Sequence, residues 1–128
     1  MQNRLKEPSG PLSPRLTIYR WHVGMLASIG HRASGLALIL FVPIYLWLLR
    51  GMTGSEDNFA AVFNWLHSGL GKVSIWLVGI SLIYHFCNGI RFIAIDAGWG
   101  ESRESMRRSA RVVFVFTVLV AVLLAVML

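Results

Sequence analysis

The sequence predicts an all-α membrane protein with three transmembrane helices, its N-terminus cytoplasmic and its C-terminus outside. Three observations carry that prediction. Of the 128 residues, 55% are hydrophobic and only 14% charged, against roughly 25% charged in soluble domains. The apolar residues gather into three stretches, each close to the ~20 residues a helix needs to cross ~30 Å of hydrocarbon. The cationic residues gather in alternate connecting segments, and excess Lys and Arg mark the cytoplasmic side.

The chain reads as a single membrane domain, residues 1–128. Its N-terminal segment, 1–22, carries Arg4, Lys6, Arg15 and Arg20 against Glu7. Pro8, Pro11 and Pro14 break it, and it has no apolar core, so it resembles neither a signal peptide nor an amphipathic mitochondrial presequence. That points to the bacterial inner (plasma) membrane rather than the mitochondrial inner membrane. Helix 1 is expected over about 23–49, interrupted only by His31-Arg32. An outer loop, 50–72, has Arg50 and Lys72 balanced by Glu56 and Asp57. Helix 2 follows over about 73–97. An inner loop, 98–111, holds Arg103, Arg107, Arg108 and Arg111 against Glu101 and Glu104. Helix 3, about 112–128, is "VVFVFTVLVAVLLAVML", without a charge.

The net charge of +6 is therefore a topological signal in the lipid bilayer, and nucleic acid is not expected as a partner. The single Cys87 excludes an internal disulfide and a cysteine-held cluster or zinc site within this chain.

An ionisable side chain near the bilayer centre costs at least a few kcal/mol and is a functional candidate by default. On this topology Ser28, His31, Arg32, Arg91 and Asp96 fall in one layer near the cytoplasmic face. His85 lies six residues before Arg91, roughly 9 Å deeper. Ser28 and Arg32 share a helix face at i, i+4, extended by Gly35. Ser81, His85 and Gly89 form a second such series, and glycine beside histidine leaves room for something flat. Three readings of His85 stay open: a neutral imidazole bonded to a neighbouring helix, a proton relay, or an axial haem ligand above cations that would neutralise propionates.

Two motifs then resemble one family. "PLSPRLTIYRW" followed by "SIGHRASG" is similar to the N-terminal signature of the cytochrome b subunit of succinate dehydrogenase, the larger membrane anchor of respiratory complex II. It supplies Pro11-Leu12-Ser13-Pro14, Ile18-Tyr19, and Ser28, His31, Arg32 and Gly35. "HFCNGIRFIAIDAG" is similar to the second signature, with His85, Gly89-Ile90-Arg91, Asp96 and Gly98. Some members carry a histidine where this chain has Phe92.

The resemblance implies roles. His85 would be an axial ligand of haem b and so hold the metal, with the second ligand on the smaller anchor subunit. His31, Arg32 and Arg91 would lie in the haem-propionate region. Ser28 and Arg32 would bind ubiquinone, the substrate, and Asp96 would help deliver protons. No stand-alone catalysis is expected, because nothing here binds flavin or iron–sulfur clusters. Those would come from a flavoprotein subunit and an iron–sulfur subunit, which this chain would anchor. The motifs leave a fumarate reductase anchor using menaquinol, or a non-redox structural membrane protein, as alternatives.

Overall fold

The computed structural model describes residues 21–128, so the motif residues Pro11 to Tyr19 and most of the 1–22 segment lie outside the described residues. The described chain forms four helices and no strand: α1 (Val23–Met52), α2 (Glu56–His67), α3 (Gly69–Asp96) and α4 (Arg103–Met127). Helices α1, α3 and α4, of 30, 28 and 25 residues, are each long and apolar enough to span a membrane. At 1.5 Å per residue α1 is about 45 Å long, so it overruns the hydrocarbon at its ends.

The three long helices pack as a bundle, α1 against α3 and α4, and α3 against α4. Close approach rests on small residues: Ala27 and Ala110 are 0% exposed. Without a water-driven hydrophobic force, membrane helices associate through such close packing and through interhelical hydrogen bonds. Tyr84 O–H donates to the Ala27 carbonyl at 3.2 Å, joining α3 to α1. Trp76 Nε1–H donates to the Ala121 carbonyl at 2.8 Å, joining α3 to α4. Large apolar residues such as Leu36, Ile39 and Leu40 are exposed, as a lipid-facing surface requires.

The expected outer loop contains a helix. Ser55 caps α2 by accepting from the Asn58 N–H at 3.3 Å, and Glu56 and Asp57 favour the positive end of its dipole. The helix packs against both α1 and α3. Val62 is buried in this contact and would meet a Cβ on Gly51 at 2.5 Å, while Phe59 and Phe63 remain exposed. Ser68 then starts α3, its Oγ accepting from the Gly71 N–H at 3.2 Å.

The span boundaries also differ from those the hydropathy marks. α1 continues to Met52 rather than ending near 49, and α4 begins at Arg103 rather than at 112. Apolar composition marks the part of a helix in lipid, whereas capping sets where the helix starts. Here Ser102 accepts from the Ser105 N–H at 3.2 Å. The turn before it explains the Asp-x-Gly motif. Gly98 has φ +88°; its N–H bonds the Ile95 carbonyl at 2.9 Å and the Trp99 N–H bonds the Ala94 carbonyl at 2.9 Å. This is a Schellman cap, which needs a residue tolerant of left-handed backbone.

Candidate functional site

The site begins with a carbonyl on α1. The His31 carbonyl oxygen accepts from Ser34 O–H at 2.8 Å, and His85 Nδ1 lies 3.0 Å from the same oxygen. A carbonyl only accepts, so Nδ1 is the protonated nitrogen of His85 and Nε2 keeps its lone pair. Ser34 Oγ, 3.3 Å from Nδ1, is a second acceptor for that N–H. His85 Nε2 makes no hydrogen bond among the described residues. A metal-binding histidine normally has this arrangement, with one ring nitrogen donating to a backbone carbonyl and the other free to coordinate. His85 therefore fits an axial haem ligand on geometry. No cluster of three or more His, Cys, Asp or Glu able to hold a metal occurs among the described residues.

The imidazoles of His31 and His85 stack, centroids 4.1 Å apart and planes 10° apart. Phe92 meets the outer side of this pair with its ring edge, 5.3 Å from His31. His31 thus sits beside His85, and not a layer beneath it. Counting residues fixes levels along one helix, but the offset between two helices is set by how they pack. Glycine sets it here: a Cβ on Gly35 would lie 2.8 Å from His85 Cε1, and one on Gly89 3.8 Å from His31 Nε2. The flat object that these glycines admit is the partner helix's imidazole. His31 Nε2 is buried with no hydrogen-bond partner among the described residues.

The rest of the expected layer does not converge. Arg91 is committed to α4: Nε donates to Ser109 Oγ at 2.9 Å and Nη2 to the Met106 carbonyl at 3.0 Å. Ser28, half-buried, lines a cleft of about 610 Å³ with Arg91, Arg103 and Arg107. Arg32 is exposed on α1 and does not line that cleft. Asp96, expected to be buried near Arg32, is instead exposed as the last residue of α3. The Schellman turn carries the chain away at that point, so nothing covers its carboxylate.

Sequence reasoning missed Ser34, Tyr84 and Asn88, and with them the stripe that Tyr84 and Asn88 form with Arg91. These are among the few buried polar or aromatic side chains, and Asn88 is fully buried with Oδ1 unpartnered among the described residues. The signal was present as an i, i+4, i+7 series on one face of a span. The neighbouring His85 series obscured it.

This chain is similar to several known membrane subunits. It is 35% identical over 114 residues to the succinate dehydrogenase cytochrome b556 subunit of Coxiella burnetii, covering 88% of this chain and 91% of that one. It is 36% identical over 119 residues to the mitochondrial succinate dehydrogenase cytochrome b560 subunit of Sus scrofa, covering 91% of this chain and 70% of that one. The b556 subunit of Rickettsia felis is 33% identical over 114 residues, with 89% of both chains covered. Residues 6–124 match the sequence pattern of the succinate dehydrogenase/fumarate reductase transmembrane subunits. With that match over nearly its whole length, and three spanning helices, the chain belongs to the succinate dehydrogenase/fumarate reductase transmembrane subunit family.

Proposed function

We propose that this chain is the cytochrome b membrane anchor of a succinate dehydrogenase in a bacterial inner membrane, and that it holds haem b through His85. A smaller anchor subunit would supply the rest of the haem site. An iron–sulfur subunit and a flavoprotein subunit complete the complex on the side of Arg103 and Arg107, with the N-terminus cytoplasmic. The observation that carries this reading is the Nδ1–H bond from His85 to the His31 carbonyl, which leaves Nε2 for iron.

Bound there, the haem supplies a one-electron carrier. The chain's own residues hold and orient it. The stack with His31 and the Gly35 wall fix the His85 ring. His31 Nε2, buried and without a partner, is available to a propionate oxygen, with Arg32 one residue further on. Arg91, expected in the propionate region, is bonded to α4, which leaves His31 and Arg32 as the main candidates for that role. Ser28 and Arg32 bind the ubiquinone head group, where a hydroxyl and a guanidinium stabilise charge developing on the quinone oxygen. Asp96, exposed at the cytoplasmic end of α3, takes protons from water and passes them toward that site.

The test is purification with the partner subunits. Succinate-driven ubiquinone reduction and a b-type spectrum are the expected results. Preferential menaquinol oxidation by fumarate would reassign the chain to a fumarate reductase anchor, and a colourless, inactive assembly would leave only a structural role.

A further inference from the structure

Arg91 has a third nitrogen that the α3–α4 contact leaves unused. Nε and Nη2 are bonded to Ser109 and Met106, whereas Nη1 is buried with no acceptor among the described residues. The residue is 8% exposed. It stands in the wall of the 610 Å³ cleft between the first turn of α1, the end of α3 and the first turns of α4. Arg103 and Arg107 line the same cleft from α4, and Met25, Phe92, Ile95 and Met106 give it an apolar side. Neither Asp96, Glu101 nor Glu104 lines it. The N-terminus of α4 adds the positive end of a 25-residue helix.

Three guanidinium groups, with no carboxylate among the described residues of the lining, call for an anion, and the apolar side calls for a molecule that is only partly polar. We propose that this cleft binds the phosphate group of a membrane phospholipid. Arg103 and Arg107 hold its oxygens, Nη1 of Arg91 completes the set, and an acyl chain runs along Met25, Phe92, Ile95 and Met106. The planar fork of arginine suits phosphate oxygens, and basic pockets between membrane helices on the cytoplasmic side are head-group sites. A free phosphate would use the cations but gain nothing from the apolar wall. A quinone head group held at Ser28, on the α1 side of the cleft, would use the apolar wall, but its uncharged ring would not answer the three cations of Arg91, Arg103 and Arg107 on the α3–α4 side. The segment 1–22, with Arg4, Lys6, Arg15 and Arg20 against Glu7, has the wrong charge. The proposal does not rest on the haem or quinone assignments.

The test uses the whole complex, purified in phosphate-free buffer and washed with detergent. Lipid phosphorus and lipid mass spectrometry are compared between the native protein and the double variant Arg103→Gln, Arg107→Gln. The expected result is a tightly held phospholipid that resists washing in the native complex and is lost from the variant, with the haem spectrum and succinate oxidation by a soluble acceptor unchanged. Equal lipid retention overturns the proposal. So does displacement of the lipid by inorganic phosphate, which would make the site one for the free ion, and so does a shifted haem spectrum with unchanged lipid, which would assign the anion to the haem. Should the variant not assemble, the native complex is photolabelled with a diazirine-bearing phosphatidylglycerol. Label on the peptides containing Met25 or Met106 supports the site, and labelling confined to other peptides overturns it.

Discussion

His31 and His85 are joined twice: their rings stack at 4.1 Å, and His85 Nδ1–H donates to the His31 carbonyl at 3.0 Å. The stack fixes the plane of the His85 ring, and the hydrogen bond fixes which nitrogen is free. Neither depends on a flexible loop, because both residues lie inside long helices. The orientation of the free nitrogen is therefore as rigid as the α1–α3 contact itself.

Gly35→Ala tests that rigidity. A methyl group there would lie 2.8 Å from His85 Cε1 and 3.2 Å from Nδ1, so the ring must move. Overpacking of this kind costs about 1–3 kcal/mol. The expected outcome is an assembled complex of lower thermal stability with a shifted haem absorption and paramagnetic resonance spectrum. An unchanged spectrum would mean that Gly35 does not set the ring position.

Ser34→Ala should do much less. It removes an acceptor 3.3 Å from Nδ1 and a donor to the His31 carbonyl, yet keeps the His85–carbonyl bond. A neutral hydrogen bond contributes about 1 kcal/mol net. Haem content and spectrum are expected near native, measured on the purified complex; haem loss would show that Ser34 and not the carbonyl orients His85.

The three spans and the small residues Gly35 and Gly89 on the histidine-bearing faces were legible in the sequence, whereas the stacking of His31 on His85 was not, because the offset between two helices is set by their packing. Hydropathy and i, i+4 spacing depend on local chemistry, which the sequence records directly. The position of Arg91 was not legible. Periodicity places it on α3 but does not say which neighbour takes its nitrogens, and Ser109 and Met106 lie on a helix whose start was read nine residues late. The helix α2 was missed because its charges balance and it is too short to register as a span. Yet Ser55 followed by Phe59, Val62, Phe63 and Leu66 at i, i+3, i+4, i+7 is the pattern of a capped amphipathic helix.

Arg91→Met and Arg32→Leu should have opposite consequences. Arg91→Met keeps apolar volume and removes two bonds to α4. Bonds to a charged group contribute about 1.5–3 kcal/mol each, offset by relief of burying the charge. A loss of thermal stability is expected, with quinone kinetics near native in whatever complex assembles. Arg32 is exposed on α1, so Arg32→Leu should leave stability near native.

Quinone chemistry is where Arg32→Leu should act. Removing a preorganised charge donor costs on the order of 3 kcal/mol of barrier, about a hundredfold in rate. Ubiquinone reduction should fall by that order, and Ser28→Ala should lower it less. Succinate oxidation by a soluble acceptor should persist, since that acceptor takes electrons before they reach the membrane. Normal quinone kinetics in both variants would remove these residues from the site.

The topology is tested by single-cysteine labelling in a Cys87→Ser background. A cysteine replacing Arg107 should react only from the cytoplasmic side, and one replacing Asn64 on α2 only from outside. Reaction of the position 107 cysteine from outside intact cells would invert the orientation and with it the placement of the soluble subunits.

The most direct measurement of the central claim is the haem spectrum of a His85→Gln complex, taken with the partner subunits in place. The low-spin signature of two histidine ligands should disappear, leaving five-coordinate haem or none, while His31 and Arg32 are unaltered. A low-spin spectrum identical to that of the native complex would show that the iron is held by another residue, and that the His85–His31 geometry has only a packing role.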